Sequence, residues 1–398
     1  MGETTTLVTP ERLAGTEPAA PVRNARPYRS WVEVSRAQIA ANFHAIRKLV
    51  GLSVEVMPVV KADAYRHGAI EVSRTLEREG ARWFAVSNTD EGVALREAGI
   101  TARILVMADF LPFTREALLA HDLTPVIHSL EDIAELDRLG RAHNRRYRYH
   151  LKIDTGMGRL GVRIDPAIIC EAILAAPNTE IEGLMTHFAS AANYQASQTD
   201  EQIALFNHIA DALNRAGIHP QLLHLSSTIP VAYGRRAAWR GMIRPGHAIY
   251  GYVSPVRGHA PHKLLQVKPA LTWRATVLSV RDLPQGALIG YGGTFRAPHT
   301  MRVAVLAAGY ADGIPHRLGN RGSVIVNGKL APIVGAVSMD MTSIDVTQSP
   351  EIAVGDAVTL LGAEGSVHMD AQQIARLAGT ISYSVLCGIH ARVKRVYT

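Results

Sequence analysis

Two cysteines in 398 residues, Cys170 and Cys387, are too few and too far apart to read as a disulfide framework, and neither sits in a metal-binding spacing. That usage fits a reducing compartment, so we expect a cytoplasmic protein with no metal. Charge is sparse too. Only 19% of the residues are Asp, Glu, Lys or Arg against 47% hydrophobic, which excludes disorder as the main state. No apolar run is long enough to span a bilayer, and residues 1–27, polar and rich in Thr, Pro and Ala, have no apolar core of the signal-peptide type. We expect a loose N-terminal extension there and no membrane partner. The formal charge of +7 is spread along the chain apart from RRYRYH, Arg145 to His150, where aromatics interleave with arginines. Such a run can touch nucleic acid, but it leads straight into an apolar strand pattern and reads as a solvated loop, so no nucleic-acid partner is expected.

The length exceeds one ordinary domain. RAQIAANFHAIRKLV, from Arg36, places Ile39, Phe43, Ile46 and Leu49 on one helical face, and short apolar runs follow. These are VEVMPVV (54–60), WFAVS (83–87), ARILVM (102–107), LTPVIH (123–128), YHLKID (149–154), IEGLMTH (181–187), QLLHLS (221–226) and GMIRPG (241–246). Most are separated by amphipathic segments such as residues 129–143. Eight strands alternating with helices predict an α/β fold, a closed (β/α)8 TIM-type barrel over residues 28–262. Beyond about residue 255 the runs become β-branched and broken by Gly, Asn and Pro, which predicts a mostly antiparallel β domain over 263–398, with one helix near residue 370.

Polar residues fall at the carboxyl ends of the barrel runs: Lys61, Lys152 and Asp154, His187, Ser226 with Ser227 and Thr228, and Arg244. Taken singly each can be a satisfied core or loop residue, but barrels build their sites at that end, so together they would converge on one mouth. Lys61 ends its run where the periodicity says interior. It is either a covalent anchor, forming a Schiff base with a carbonyl cofactor, or a structural lysine snorkelling out of the strand end. In MIRPGHAIYG the turn at Gly246 lets the amides of Gly246 and His247 approach an anion, next to the hydroxyls of Ser227 and Thr228. A phosphorylated aldehyde such as pyridoxal phosphate satisfies both features with one molecule. Arg244 beside it can face the pyridine nitrogen, and a guanidinium there makes the ring a poorer electron sink than an Asp partner would. In LKIDTGMGRLG, residues 151–161, glycines let Arg159 approach Lys152 or a ligand carboxylate; two neighbouring cations call for an anion between them.

The chain resembles the alanine racemase family from about residue 28 to 398, on VVKADAYRHG, LKIDTGMGRLG, EGLMTHFA, MIRPGHAIYG, GYGGTF, GYADG, VSMD and TISYSVLC in family order. The resemblance implies pyridoxal phosphate on Lys61, which serves one face of an amino-acid substrate's Cα, and a homodimer with shared sites in which Tyr291 of the partner subunit serves the other face. Read without the family, Tyr291 is a turn tyrosine. The resemblance assigns Arg244 to the pyridine nitrogen, and Tyr65, Thr228, the Gly246 and His247 amides and Tyr383 to the phosphate. Arg159 and Met339 of the partner subunit would hold the substrate carboxylate, and Lys152 matches a position often carbamylated. His187 and Arg244 are expected to lower the pKa of Tyr291 by a cationic neighbourhood.

Several positions depart from the family pattern: Ser227 and Thr228 for an Asn-Ser pair, Arg66 for glycine, His316 and Ala336 for arginine, Ala192 for aspartate and Ser384 for glutamate. Alanine is the expected substrate, with a broader racemase accepting bulkier or basic amino acids as the alternative. A decarboxylase of basic amino acids would need an acidic partner where Arg244 stands, and Cys387 lies in no motif of that class. A non-catalytic pyridoxal-phosphate carrier would lack the second domain.

Overall fold

The computed structural model describes residues 27–398, so the extension expected over residues 1–27 lies outside the described residues apart from Pro27. Six strands form one parallel sheet in chain order: Trp83–Val86, Arg103–Val106, Thr124–Ile127, Tyr147–Lys152, Thr179–Met185 and Leu222–His224. The parallel pair Glu55–Val56 and Met242–Ile243 stands between the two ends of that sheet. Val59 bridges to Ala85 on one side, and the Arg244 amide donates to the Ser226 carbonyl at 2.9 Å on the other, which closes the ring. All eight expected runs are therefore barrel staves, although the first and last keep only two residues of regular strand each.

Local chemistry sets the helices between them. Arg36–Val50 starts where the Ser35 hydroxyl accepts from the Gln38 amide, and it buries Ile39, Phe43, Ile46 and Val50, with Leu49 packed beside them. Leu130–Ala142 starts in the same way at Ser129 and buries Ile133, Leu136 and Leu139, three residues apart, while Arg138 and Arg141 face solvent. Each such apolar side chain contributes about 1.5–3 kcal/mol by leaving water.

The second domain is a nine-stranded sheet whose main path runs Lys329–Pro332, Ser323–Val326, Ala357–Glu364, Leu271–Leu283, Ser30–Val34, Lys394–Tyr397. Ser30–Val34 pairs antiparallel with Leu271–Leu283 and parallel with Lys394–Tyr397. The strand Ser30–Val34, inside the expected barrel span of residues 28–262, thus pairs within the other sheet. The small hairpin of Leu288–Ile289 with Phe295–Arg296 carries Tyr291 at its tip. The helix Ala371–Ala378 is the one expected near residue 370, capped by Asp370 and stopped by Gly379 in the left-handed region. The next helix, Ser382–Cys387, carries Tyr383 against the barrel mouth, where its ring stacks on His247 with centroids 3.9 Å apart.

Candidate active site

Lys61 opens a feature that the apolar pattern does not announce. From Ala62 to Arg66 five consecutive non-glycine residues have φ between 52° and 66°, a left-handed turn directly after the first barrel stave. Left-handed backbone costs roughly 1–2 kcal/mol per residue, so the turn has to be held. Glu91 accepts from the Ala62 amide at 2.7 Å with one oxygen and from the Ser87 amide at 2.7 Å with the other. Asp63 accepts from the Ala69 amide at 2.8 Å, and the Ala64 and Gly68 amides bond back to Val60 and Asp63. The reversal places Lys61 and, one turn on, Tyr65 on the wall of the same cavity. Gly246 faces that phenol so closely that a Cβ on it would lie 2.4 Å from the Tyr65 oxygen.

The cavity has a volume of about 620 Å3. Lys61, Tyr65, Lys152, Arg159, His187, Ser227, Thr228, Arg244, Gly246, His247 and Tyr383, drawn from six separate stretches, all line it. No Asp or Glu is among the lining residues. At one end Thr228 accepts from the Ala248 amide at 3.2 Å, tying the loops after the last two staves together beside the Gly246 turn. Lys61, Lys152 and Arg159 also line the cavity, close enough for the Arg159 charge to act on both amines.

Electrostatics follow from that crowding. Burial, then the Arg159 charge, holds the Lys61 amine below its ordinary pKa. Lys152 is brought down to about 8 by burial and by Arg159 and Arg244. His187 is pushed to about 3 by burial and by the Arg244, Arg159 and Lys152 charges. His187 is therefore a neutral imidazole near pH 7, which corrects the expectation that it adds to a cationic neighbourhood for Tyr291. Arg244, wholly buried, is lowered to about 9 by desolvation and remains the cation of that pair at neutral pH.

A lysine, a glycine turn and two hydroxyls share the wall of one cavity with no carboxylate on it, and the chain that builds it matches a known family over almost its whole length. Residues 34–255 fit the family model described as alanine racemase, N-terminal domain, and residues 270–397 fit alanine racemase, C-terminal domain. The chain belongs to the alanine racemase family. The alanine racemase of Halothermothrix orenii is 40% identical over 369 residues, covering 92% of this chain and 96% of the relative. Among solved structures, the alanine racemase of D-cycloserine-producing Streptomyces lavendulae superposes with a TM-score of 0.87 at 29% identity, over 94% of this chain and 98% of that one. The alanine racemase from Bartonella henselae with covalently bound pyridoxal phosphate gives a TM-score of 0.82 at 26% identity, over 94% of this chain and 100% of that one.

Two residues that the resemblance to racemases assigns to the site stand apart from the cavity within this chain. Tyr291 is 77% exposed at its hairpin tip and Met339 is 54% exposed; neither lines the cavity. Conversely, the racemase site has members that the sequence reading passed over. Cys387, the last residue of TISYSVLC and read from the sequence only as lying in no decarboxylase motif, lines the cavity, with its thiol pKa raised by burial. Behind Arg244 a polar file runs down the barrel core. Arg244 Nη1 lies 2.9 Å from His224 Nδ1, and His224 Nε2 lies 2.8 Å from His150 Nδ1. His150 Nε2 faces Glu182 at 3.6 Å, and Glu182 is paired with Arg103. Both histidines are completely buried and have lowered pKa values, from desolvation first. Arg244 can only donate and the Glu182 carboxylate only accept, so each neutral ring accepts at Nδ1 and donates at Nε2. The signal was present in the staves: His150 and Lys152, and His224 and Ser226, are two apart and share the interior face.

Proposed function

We propose that this enzyme, a pyridoxal-phosphate-dependent racemase acting on alanine, inverts the substrate Cα with two bases from two subunits, the Lys61 amine on one face and the Tyr291 phenol of a second copy on the other. The observation that carries the reading is Lys61 itself, projected by a held left-handed turn into a cavity of about 620 Å3 with cations and no carboxylate on its walls. The residues fit the cofactor: a primary amine, a glycine cradle that a Cβ would fill, hydroxyls from two loops, and a buried guanidinium. When bound, pyridoxal phosphate links to an amine and spreads the electron pair left on Cα when its proton departs.

The chain's own groups then have these roles. Tyr65, Ser227, Thr228, Tyr383 and the Gly246 and His247 amides would hold the phosphate. Arg244, unable to give up its proton near pH 7, would serve as a partner for the pyridine nitrogen that donates no proton to it, which favours prompt return of the proton to Cα. Arg159, with Met339 of the partner subunit, takes the substrate carboxylate. Lys61 Nζ, with its depressed pKa, accepts a proton near neutrality more readily than an ordinary lysine would be able to. Tyr291 donates to or accepts from the far face, and the nearby Arg244 charge lowers the cost of its phenolate. Lys152, with a pKa of about 8, keeps a share of free amine at neutral pH, and addition of that amine to carbon dioxide with loss of one proton gives a carbamate between the Arg159 and Arg244 charges.

The two exposed residues are the reason for proposing a homodimer: Tyr291 and Met339 have a role only if a second copy's cavity receives them. No helix among the described residues is long and apolar enough to cross a membrane, and we propose a cytoplasmic enzyme. Incubation of L-alanine with the enzyme in deuterated water tests the reaction. Exchange of the α-hydrogen with formation of D-alanine is expected; loss of carbon dioxide, or no change, would refute it.

A further inference from the structure

Arg159 is solvent-exposed at the cavity rim, so its long side chain is placed by its backbone rather than by packing. That backbone is an unusually built loop. The Val162 amide donates to the Lys152 carbonyl at 2.8 Å and the Asp154 amide to the Val162 carbonyl at 2.9 Å, closing the base. A Cβ on Gly161 would lie 2.8 Å from the Asp154 nitrogen, so the base closes only with glycine there. The Asp154 carboxylate fills the interior, accepting from the amides of Gly156, Met157 and Gly158 at 3.1, 2.9 and 3.1 Å.

What docks this loop on the barrel is an amide from another element. Gln202, on the helix Gln198–Arg215, is 1% exposed. Its Nε2 donates to the Thr155 hydroxyl at 3.1 Å and to the His187 carbonyl at 3.2 Å, and its Oε1 accepts from the Ala189 amide at 3.0 Å. Thr155 and Thr186 also share a hydroxyl bond of 2.7 Å. The same helix buries Ile203, Phe206, Ile209 and Leu213 in the core, where an apolar residue in place of Gln202 would carry no desolvation cost. A buried amide is tolerated only with its bonds made, and all three of these go to the loops of Arg159 and His187.

We propose that Gln202 is a positioning residue for substrate binding: it locks the Arg159 loop to the stave end that carries His187, so that the two reach the cavity in one fixed relation. The inference rests on the reading of Arg159 as the substrate-carboxylate group. Gln202→Met keeps the length and helix preference of the side chain and removes the three bonds. With saturating cofactor, it is expected to raise the KM for alanine about tenfold while kcat stays within about twofold, because the loss is in placing the carboxylate. Binding of acetate, which carries a carboxylate and no amine, followed through the cofactor absorbance, should weaken by a similar factor, while cofactor affinity holds and the melting temperature falls by only a few degrees, the effect of an Ala189 amide left without its partner. Gln202→Glu, which keeps the acceptor for Ala189 and loses the donors, should show the same KM effect and serves if the methionine variant does not fold. Combined with Arg159→Lys, the Gln202→Met change should add little further rise in KM. Unchanged KM and acetate binding in both Gln202 variants, or loss of cofactor affinity and thermal stability without a KM change, would overturn the proposal. Arg159→Lys alone separates the two claims: a raised KM there with normal Gln202 variants refutes only this inference, whereas a normal KM there refutes the Arg159 reading beneath it.

Discussion

Lys61, His187 and Lys152 line one cavity, and burial with neighbouring cations lowers the pKa of all three, His187 furthest. Lys61→Ala should abolish the absorbance of the bound cofactor, because no other amine is held in that turn; an unchanged band would remove Lys61 as the anchor. Tyr291→Phe should leave that band in place and lower racemisation in both directions by about 10²- to 10⁴-fold, the usual weight of a general acid or base. Equal rates with and without the phenol would exclude it. His187, at a pKa of about 3, should contribute no inflection to the rate between pH 5 and pH 8, and its nitrogen resonances should report a neutral ring throughout. An imidazolium there at pH 7 would contradict the crowding by Arg244 and Arg159. These residues were visible as polar breaks at the ends of apolar runs. Their charge states were not, because desolvation and neighbouring cations exist only once the staves converge.

The left-handed turn and the buried file show where reading by element succeeds and fails. Stave positions follow from short continuous apolar runs, and every expected barrel run is found, since these strands are buried on both faces. The turn after Lys61 is invisible to that logic. Ala62, Ala64, Tyr65 and Arg66 carry no propensity for positive φ, and the turn is held by the distant Glu91 carboxylate, the pairing of Asp63 with Ala69 and the return of the Ala64 and Gly68 amides to Val60 and Asp63. Glu91→Ala should therefore destabilise the protein by about 1–3 kcal/mol through two orphaned amides, and weaken cofactor binding, in thermal melts and spectral titration. The strand Ser30–Val34 eluded the reading for a related reason: its partners lie more than 230 residues away, as in the pairing of Ser30 with Ala275. Gly183 in the stave Thr179–Met185 offers a second test, since an added Cβ would sit 2.5 Å from His150 Nδ1. Gly183→Ala should cost about 1–3 kcal/mol by overpacking and loosen Arg244 by displacing the histidine pair. A variant with wild-type stability and cofactor affinity would show that the file behind Arg244 has no part in holding it.

Over the molecule as a whole, the buried histidines set the response to acid. His67 and His128 are lowered to about 4 and His187 and His247 to about 3, all chiefly by desolvation. The unfolded chain, with histidines near their ordinary value of about 6.5, binds these protons first, so stability should fall as pH drops below about 6.5. Each such group contributes up to about 1.4 kcal/mol per pH unit until its folded value is reached. Melting temperatures between pH 7 and pH 4 check this; a flat profile would mean that the rings are hydrated. The claim that organises everything else is that one site is made from two chains. It is tested by mixing two inactive variants, Lys61→Ala and Tyr291→Phe, under conditions that let subunits exchange. A mixed dimer has one site with both defects and one site with neither, so about a quarter of the wild-type activity should return for random pairing of equal amounts. If the mixture stays as inactive as its components while exchange is shown to occur, Lys61 and Tyr291 of different subunits do not serve the same carbon.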